Sequence, residues 1–102
     1  MALITATVLD VTPIGKGRIL ALASVELMID GIAFTLHGVQ VVRLKHPESG
    51  REATGVDLPR YRGPDGAWRQ AAELPEELRK PLGDAVLERC CELGITRQAV
   101  IS

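Results

Sequence analysis

The sequence predicts a small α+β domain: an antiparallel β-sheet of about four to five strands with one C-terminal α-helix packed on one face. Three observations predict it. Apolar residues alternate with others over residues 18–43, an Asp-Gly dipeptide sits inside that alternation, and helical apolar spacing is confined to residues 78–93. The chain has 102 residues, which suits one domain over residues 1–95 followed by a tail at 96–102. A chain of this length buries roughly two thirds of the surface its unfolded form exposes, which supports one core without disulfide or metal.

Residues 2–9, Ala-Leu-Ile-Thr-Ala-Thr-Val-Leu, form a β-branched run that fits a first strand. Thr12-Pro13-Ile14-Gly15-Lys16-Gly17 reads as a turn-rich connector. Over Arg18–Ile29 the odd positions Ile19, Ala21, Ala23, Val25, Leu27 and Ile29 are all apolar and mark the core face. Asp30-Gly31 then predicts a two-residue type I′ hairpin, because both central residues must take positive φ. That loop pairs Ile29 with Ile32, Leu27 with Phe34 and Val25 with Leu36, and adds Ile32, Phe34 and Leu36 to the core face. Continued in register, it pairs Glu26 with Thr35, Ser24 with His37, Leu22 with Val39 and Leu20 with Val41 on the opposite face. Leu20, Leu22, Val39 and Val41 would then form an apolar patch that one helix cannot cover, and a homodimer interface is expected there.

His46-Pro47-Glu48-Ser49-Gly50 reads as a turn, and residues 52–58 as a short strand that Pro59 ends. Residues 60–68 read as a loop with a Pro64-Asp65-Gly66 turn, followed by a short strand within 67–74. Leu78, Leu82, Ala85, Val86, Cys90 and Leu93 share one helical face. Pro81 suits a first helical turn, so the spacing predicts a turn at 75–80 and a helix from 81 to 93. Gly94 is placed to end that helix in a Schellman motif with Ile95.

Lys+Arg is 12 and Asp+Glu is 13, a net charge of −1, which excludes a globally basic nucleic-acid binder but not a local patch. The basic excess lies in residues 37–70, with six basic and four acidic side chains. No run of 18 uncharged apolar residues exists, so no transmembrane helix is expected. The start of the chain lacks a basic region and Asp10 interrupts its apolar stretch, so no secretory signal is expected either. The two cysteines are adjacent, Cys90-Cys91, and cannot bridge within a helix. A reduced, cytoplasmic protein is expected.

Candidate chemistry is sparse. His37 and His46 lack a metal-ligand spacing with each other or with the cysteines, so no metal is expected. Gly15-Lys16-Gly17-Arg18 lacks the phosphate-loop frame and precedes a strand rather than a helix. No nucleophile–base pair or cofactor motif is visible, and neither an enzyme nor a cofactor is expected. The dense cluster is Arg60-Tyr61-Arg62-Gly63-Pro64-Asp65-Gly66-Ala67-Trp68-Arg69, three arginines interleaved with the only tyrosine and the only tryptophan. Arginine grips phosphate through its planar fork, and exposed aromatics stack on bases. Arg60, Arg62, Arg69 and Tyr61 are the candidate nucleic-acid contacts, with Lys45, Arg43 and Arg51 extending the patch; Trp68 is expected in the core.

The order of these segments resembles the stage V sporulation protein G (septation protein) family. Arg18-Ile19-Leu20-Ala21-Leu22-Ala23-Ser24-Val25-Glu26-Leu27 is similar to its "R-x-x-A-x-A-S-[IV]-T-L" strand. The stretch from Ile32 to Val42 is similar to "F-V-V-H-D-I-R-V-I", Gly55-Val56-Asp57-Leu58-Pro59 to "V-A-M-P-S", and Asp65-Gly66-Ala67-Trp68-Arg69 to "D-G-x-[FY]-R-D". Leu82-Gly83-Asp84-Ala85-Val86-Leu87 completes the order with "I-x-x-A-V-L". The resemblance implies a non-enzymatic homodimer that binds DNA or RNA and regulates bacterial gene expression, sporulation or septation. The family's basic loop falls on Arg60-Tyr61-Arg62. The departures sit on polar positions: Arg60 where the family has Ser, Gly38-Val39-Gln40 where it has Asp-Ile-Arg, Gln70 where it has Asp, and Ala72-Glu73 where it has His-Pro. The alternative expectation is a protein-interaction module that has lost nucleic-acid binding and takes a protein partner on an apolar face or a sheet edge.

Overall fold

The structure, a computed structural model, describes residues 3–45, 48–50 and 52–95, with the side chain of Glu52 left aside. His46, Pro47, Arg51 and the tail at 96–102 lie outside the described residues. Four strands form one antiparallel meander in the order β1-β2-β3-β4: β1 Ile4–Lys16, β2 Ile19–Ile29, β3 Ile32–Lys45 and β4 Glu52–Asp57. A second, two-stranded sheet pairs β5 Arg60–Arg62 with β6 Trp68–Gln70, and the helix α1 spans Glu76–Glu92.

β1 is longer than its β-branched run. The expected connector at 12–17 is strand as far as Lys16, and the turn is only Gly17-Arg18. Ile14 and Gly15 are absorbed as a register shift between Pro13 and Lys16, and a separate shift lies between Val8 and Asp10. Pro13, which has no N–H to give to a ladder, is tolerated because β1 is an edge strand.

The central hairpin turns as predicted. Asp30 and Gly31 take φ of 49° and 83°, and Ile29↔Ile32, Leu27↔Phe34 and Val25↔Leu36 face each other. Asp30 also ties down the start of the chain: its carboxylate accepts from the Leu3 N–H at 3.1 Å, and its own N–H donates to the Leu3 carbonyl at 3.1 Å. Ser24 Oγ lies 2.9 Å from His37 Nδ1, the expected cross-strand pair.

Beyond His37, as far as Val41, the expected register fails, and a second shift between Ile19 and Ala21 restores it at Ile19↔Val42. Gly38 takes φ of +77° and inserts one extra residue into β3, so that Ala23 pairs with Val39, Leu22 with Gln40 and Ala21 with Val41. A one-residue slip exchanges the two faces of a strand. Val39 and Val41 are therefore core residues at 0% exposure, and the expected dimer surface of Leu20, Leu22, Val39 and Val41 does not exist as one patch. Leu20 packs against that same core, and Leu22 sits half-buried on the other face between Gln40 and Thr12.

The core lies between the sheet and α1. Ala21, Ala23, Val25, Leu27, Val39 and Val41 supply the sheet side, and Leu82, Val86 and Cys90 the helix side. It stops short of the hairpin tip: Ile32, expected inside, is 73% exposed, and Phe34 is 36% exposed. α1 begins five residues earlier than the start predicted at Pro81, which lies inside it. The Leu78 and Arg79 N–H groups donate to the Pro75 carbonyl at 3.0 and 3.1 Å, so a full turn forms before Pro81. Leu78, Leu82, Val86 and Cys90, four residues apart, are the buried positions. The C-terminus closes as predicted: the Gly94 N–H donates to the Cys91 carbonyl at 3.0 Å and the Ile95 N–H to the Cys90 carbonyl at 2.9 Å. Burial pushes the Cys90 thiol up from its ordinary range. No helix among the described residues is long and apolar enough to cross a membrane.

Candidate nucleic-acid interface

Pro59 halts β4, and the chain then makes a small hairpin where a loop was expected. Its turn follows from Gly63-Pro64-Asp65-Gly66. Pro64 presets φ at the second position of a β-turn, and the Gly66 N–H donates to the Gly63 carbonyl at 2.9 Å. Gly66 then takes φ of +83°, which lets the chain return as β6. The Asp65 carboxylate accepts from the Ala67 N–H at 3.1 Å, and the Gly63 N–H donates to the Ala67 carbonyl at 2.8 Å. At the root, Ala71 N–H donates to the Pro59 carbonyl at 2.8 Å, and Leu58 is buried as an anchor.

The register Arg60↔Gln70, Tyr61↔Arg69 and Arg62↔Trp68 divides the hairpin into two faces. Arg60, Arg62, Trp68 and Gln70 share one face, and Tyr61 and Arg69 share the other. All six strand residues are exposed. Trp68, expected as a core anchor, is 58% exposed. The hairpin projects from the end of β4 and carries its rings away from the core under α1. The Arg62 guanidinium lies 4.9 Å from the Trp68 ring centroid, a cation–π contact.

Local carboxylates engage the other two arginines. Arg60 Nε donates to Asp57 Oδ2 at 2.9 Å, and Arg69 approaches Asp65 at 3.4 Å. Arg69 lies across Gly63: a Cβ there would stand 2.5 Å from the Arg69 Nε. Glycine at 63 is thus what allows this arginine to fold back toward Asp65. Arg62 has no carboxylate partner among the described residues.

No protein-family model matches the chain, and no curated protein does. The expectations drawn from sequence resemblance therefore rest on the residues themselves. The structure brings Arg60, Tyr61, Arg62 and Arg69 onto one hairpin but leaves Arg43 and Lys45 apart from it. Asp57, where the hairpin departs, pairs with Gln40, whereas Lys45 pairs with Glu52 at the other end of β4. Five strand residues amount to roughly 17 Å.

Two cations that sequence reading left out, Arg79 and Lys80, line a cleft that reaches Leu58. This cleft of about 470 Å³ opens between the first turns of α1 and the end of β4, lined by Val56, Leu58, Glu76, Arg79, Lys80 and Leu82. Leu58 joins this cleft to the root of the hairpin. Lys80 is paired with Asp84 at 3.2 Å. The start of α1 at Glu76 rather than Pro81 is what carries Arg79 and Lys80 there, so an earlier helix start was the missing signal. Among the described residues no three His, Cys, Asp or Glu side chains gather as a metal site.

Proposed function

We propose that this chain is a non-enzymatic, cytoplasmic nucleic-acid-binding regulator of the kind its sequence resembles, a homodimer that contacts DNA or RNA through the β5–β6 hairpin. One observation carries the reading: a hairpin whose six strand residues are all exposed presents three arginines with the only tryptophan and the only tyrosine. Exposed large rings beside guanidinium groups serve no packing purpose in the chain itself, and they match what phosphates and bases bind. The arginines neutralise phosphate, and the aromatic side chains offer stacking surfaces. The near-neutral net charge makes this a local contact rather than a field over the whole surface.

The test is fluorescence anisotropy of labelled single-stranded DNA, duplex DNA and RNA at three salt concentrations. Saturable binding that weakens steeply with salt is expected. Replacing Arg60 and Arg62 together by Ala should lower affinity and flatten the salt slope by about one unit per lost phosphate contact. An unchanged slope refutes the assignment.

A second reading is favoured by a different region. The tip of the β2–β3 hairpin leaves Ile32 and Phe34 in water, next to the uncharged β1 edge at Ile4–Leu9. A protein-interaction module would use that apolar corner, and its binding would respond to Ile32 and Phe34 but little to salt.

A further inference from the structure

We infer that the nucleic acid bound by the β5–β6 hairpin is single-stranded, and that Trp68 is its base-stacking residue. The inference rests on the nucleic-acid reading above and adds the ligand class and the residue that selects it. Trp68 stands opposite Arg62 in the ladder, and the guanidinium lies over its ring at 4.9 Å. More than half of the residue nonetheless remains in water. An indole held by a cation on one side and open on the other is a platform for a flat ring. A base can use it only when its own face is free. In a duplex each base face is already stacked on its neighbours, whereas an unpaired base offers its face to any aromatic.

The charge arrangement points the same way. Duplex binding draws on many phosphate contacts. Here Asp57 holds Arg60 and Asp65 approaches Arg69, which leaves Arg62 as the hairpin's one arginine without a carboxylate partner among the described residues. A hairpin with few uncommitted cations and an open ring gains more from stacking than from phosphate neutralisation. Arg60 and Gln70 form the next same-face pair toward the root of the hairpin, beside the platform, where they can meet the backbone of a stacked nucleotide.

Trp68 is the only tryptophan, so its emission reports the site directly. The experiment titrates the full chain with a 12-nucleotide single-stranded oligonucleotide and with the matching 12-base-pair duplex, both fluorescently labelled. Anisotropy gives the affinity and Trp68 emission gives the contact. Tighter binding of the single strand is expected, with quenching of Trp68. Trp68→Ala should weaken single-strand binding roughly 5- to 100-fold, the range of one lost base–aromatic stack, and Trp68→Phe should restore part of it. Circular dichroism checks that both variants keep the fold. Duplex binding as tight as single-strand binding, with Trp68 emission unchanged and Trp68→Ala silent, overturns the inference and leaves the nucleic-acid reading standing. Absence of binding to either oligonucleotide at low salt overturns both.

Discussion

The two hairpins of this protein are held together by different means. β2–β3 is 11 and 14 residues long, and its inner side chains, Val25 and Leu27 among them, are fully buried. β5–β6 has three residues in each strand, all exposed. The long hairpin is specified by the face it buries, and any change on that face is felt by the whole domain. The short one is specified by its turn, by Asp65 and by the Leu58 anchor, none of which uses the ring of Trp68 or the guanidinium of Arg62 in packing. Residues on the second hairpin are thus available to a ligand without a stability cost, which the first hairpin cannot offer at Val39 or Val41.

The largest expected effect breaks this contrast where it is strongest. Val41→Asp puts an unpaired carboxylate beneath α1, in a position with no exposure. A loss of about 3–5 kcal/mol is expected in a denaturant titration, enough to unfold most of a marginally stable domain. If Val41 instead lay on a dimer surface, the variant would remain folded and merely dissociate, so sedimentation and circular dichroism together separate the two outcomes.

Next in size is Gly38→Ala. At φ of +77° a Cβ meets only Pro59 Cβ at 3.9 Å, an ordinary contact, so the cost is conformational. About 1–2 kcal/mol of lost stability is expected by thermal or denaturant unfolding. Restoration of the uninterrupted register would turn Val39 and Val41 outward, so the bulge persists in the variant and the strain is carried there. A neutral result would mean that the bulge does not depend on glycine.

That glycine also marks where the sequence stops being legible. Asp30-Gly31 and the alternation on either side establish the turn and the first five pairs, because a type I′ turn and a buried face agree on one register. Nothing in the alternation of Val39, Val41 and Leu36 reveals an extra residue, since apolar side chains stand on both parities of β3. The burial of Ile32 and Phe34 was misread for a related reason: periodicity names a face but not how far the helix reaches over it. In the site, the arginines and Tyr61 were legible as a cluster by composition. The exposure of Trp68 was not, because a lone tryptophan is ordinarily a core residue, and its surroundings depend on the 62–68 pairing that the Gly63–Gly66 turn creates. Arg79 and Lys80 were hidden by Pro81, which reads as a helix start and instead sits a turn and a half inside.

The smallest expected effect sharpens the contrast at the short hairpin. Asp57 and Asp65 each do two things: they accept a backbone N–H, from Leu58 at 3.0 Å and from Ala67 at 3.1 Å, and they pair with an arginine. Asparagine keeps a side-chain oxygen for the backbone contact and drops the charge. Asp57→Asn with Asp65→Asn therefore preserves the turn while freeing Arg60 and Arg69. Exposed ion pairs of this kind are worth about 0.2–1 kcal/mol, so stability should fall by no more than that per pair. Single-stranded oligonucleotide affinity should rise, by roughly two- to fivefold per freed arginine, with a steeper salt dependence as more phosphates are engaged. Anisotropy at low and moderate salt reads both. A rise of equal size at low and moderate salt, with the slope unchanged, would mean that the freed arginines engage no further phosphate; unchanged affinity would mean that Arg60 and Arg69 do not touch the strand, leaving Arg62 and Trp68 as the whole of the contact.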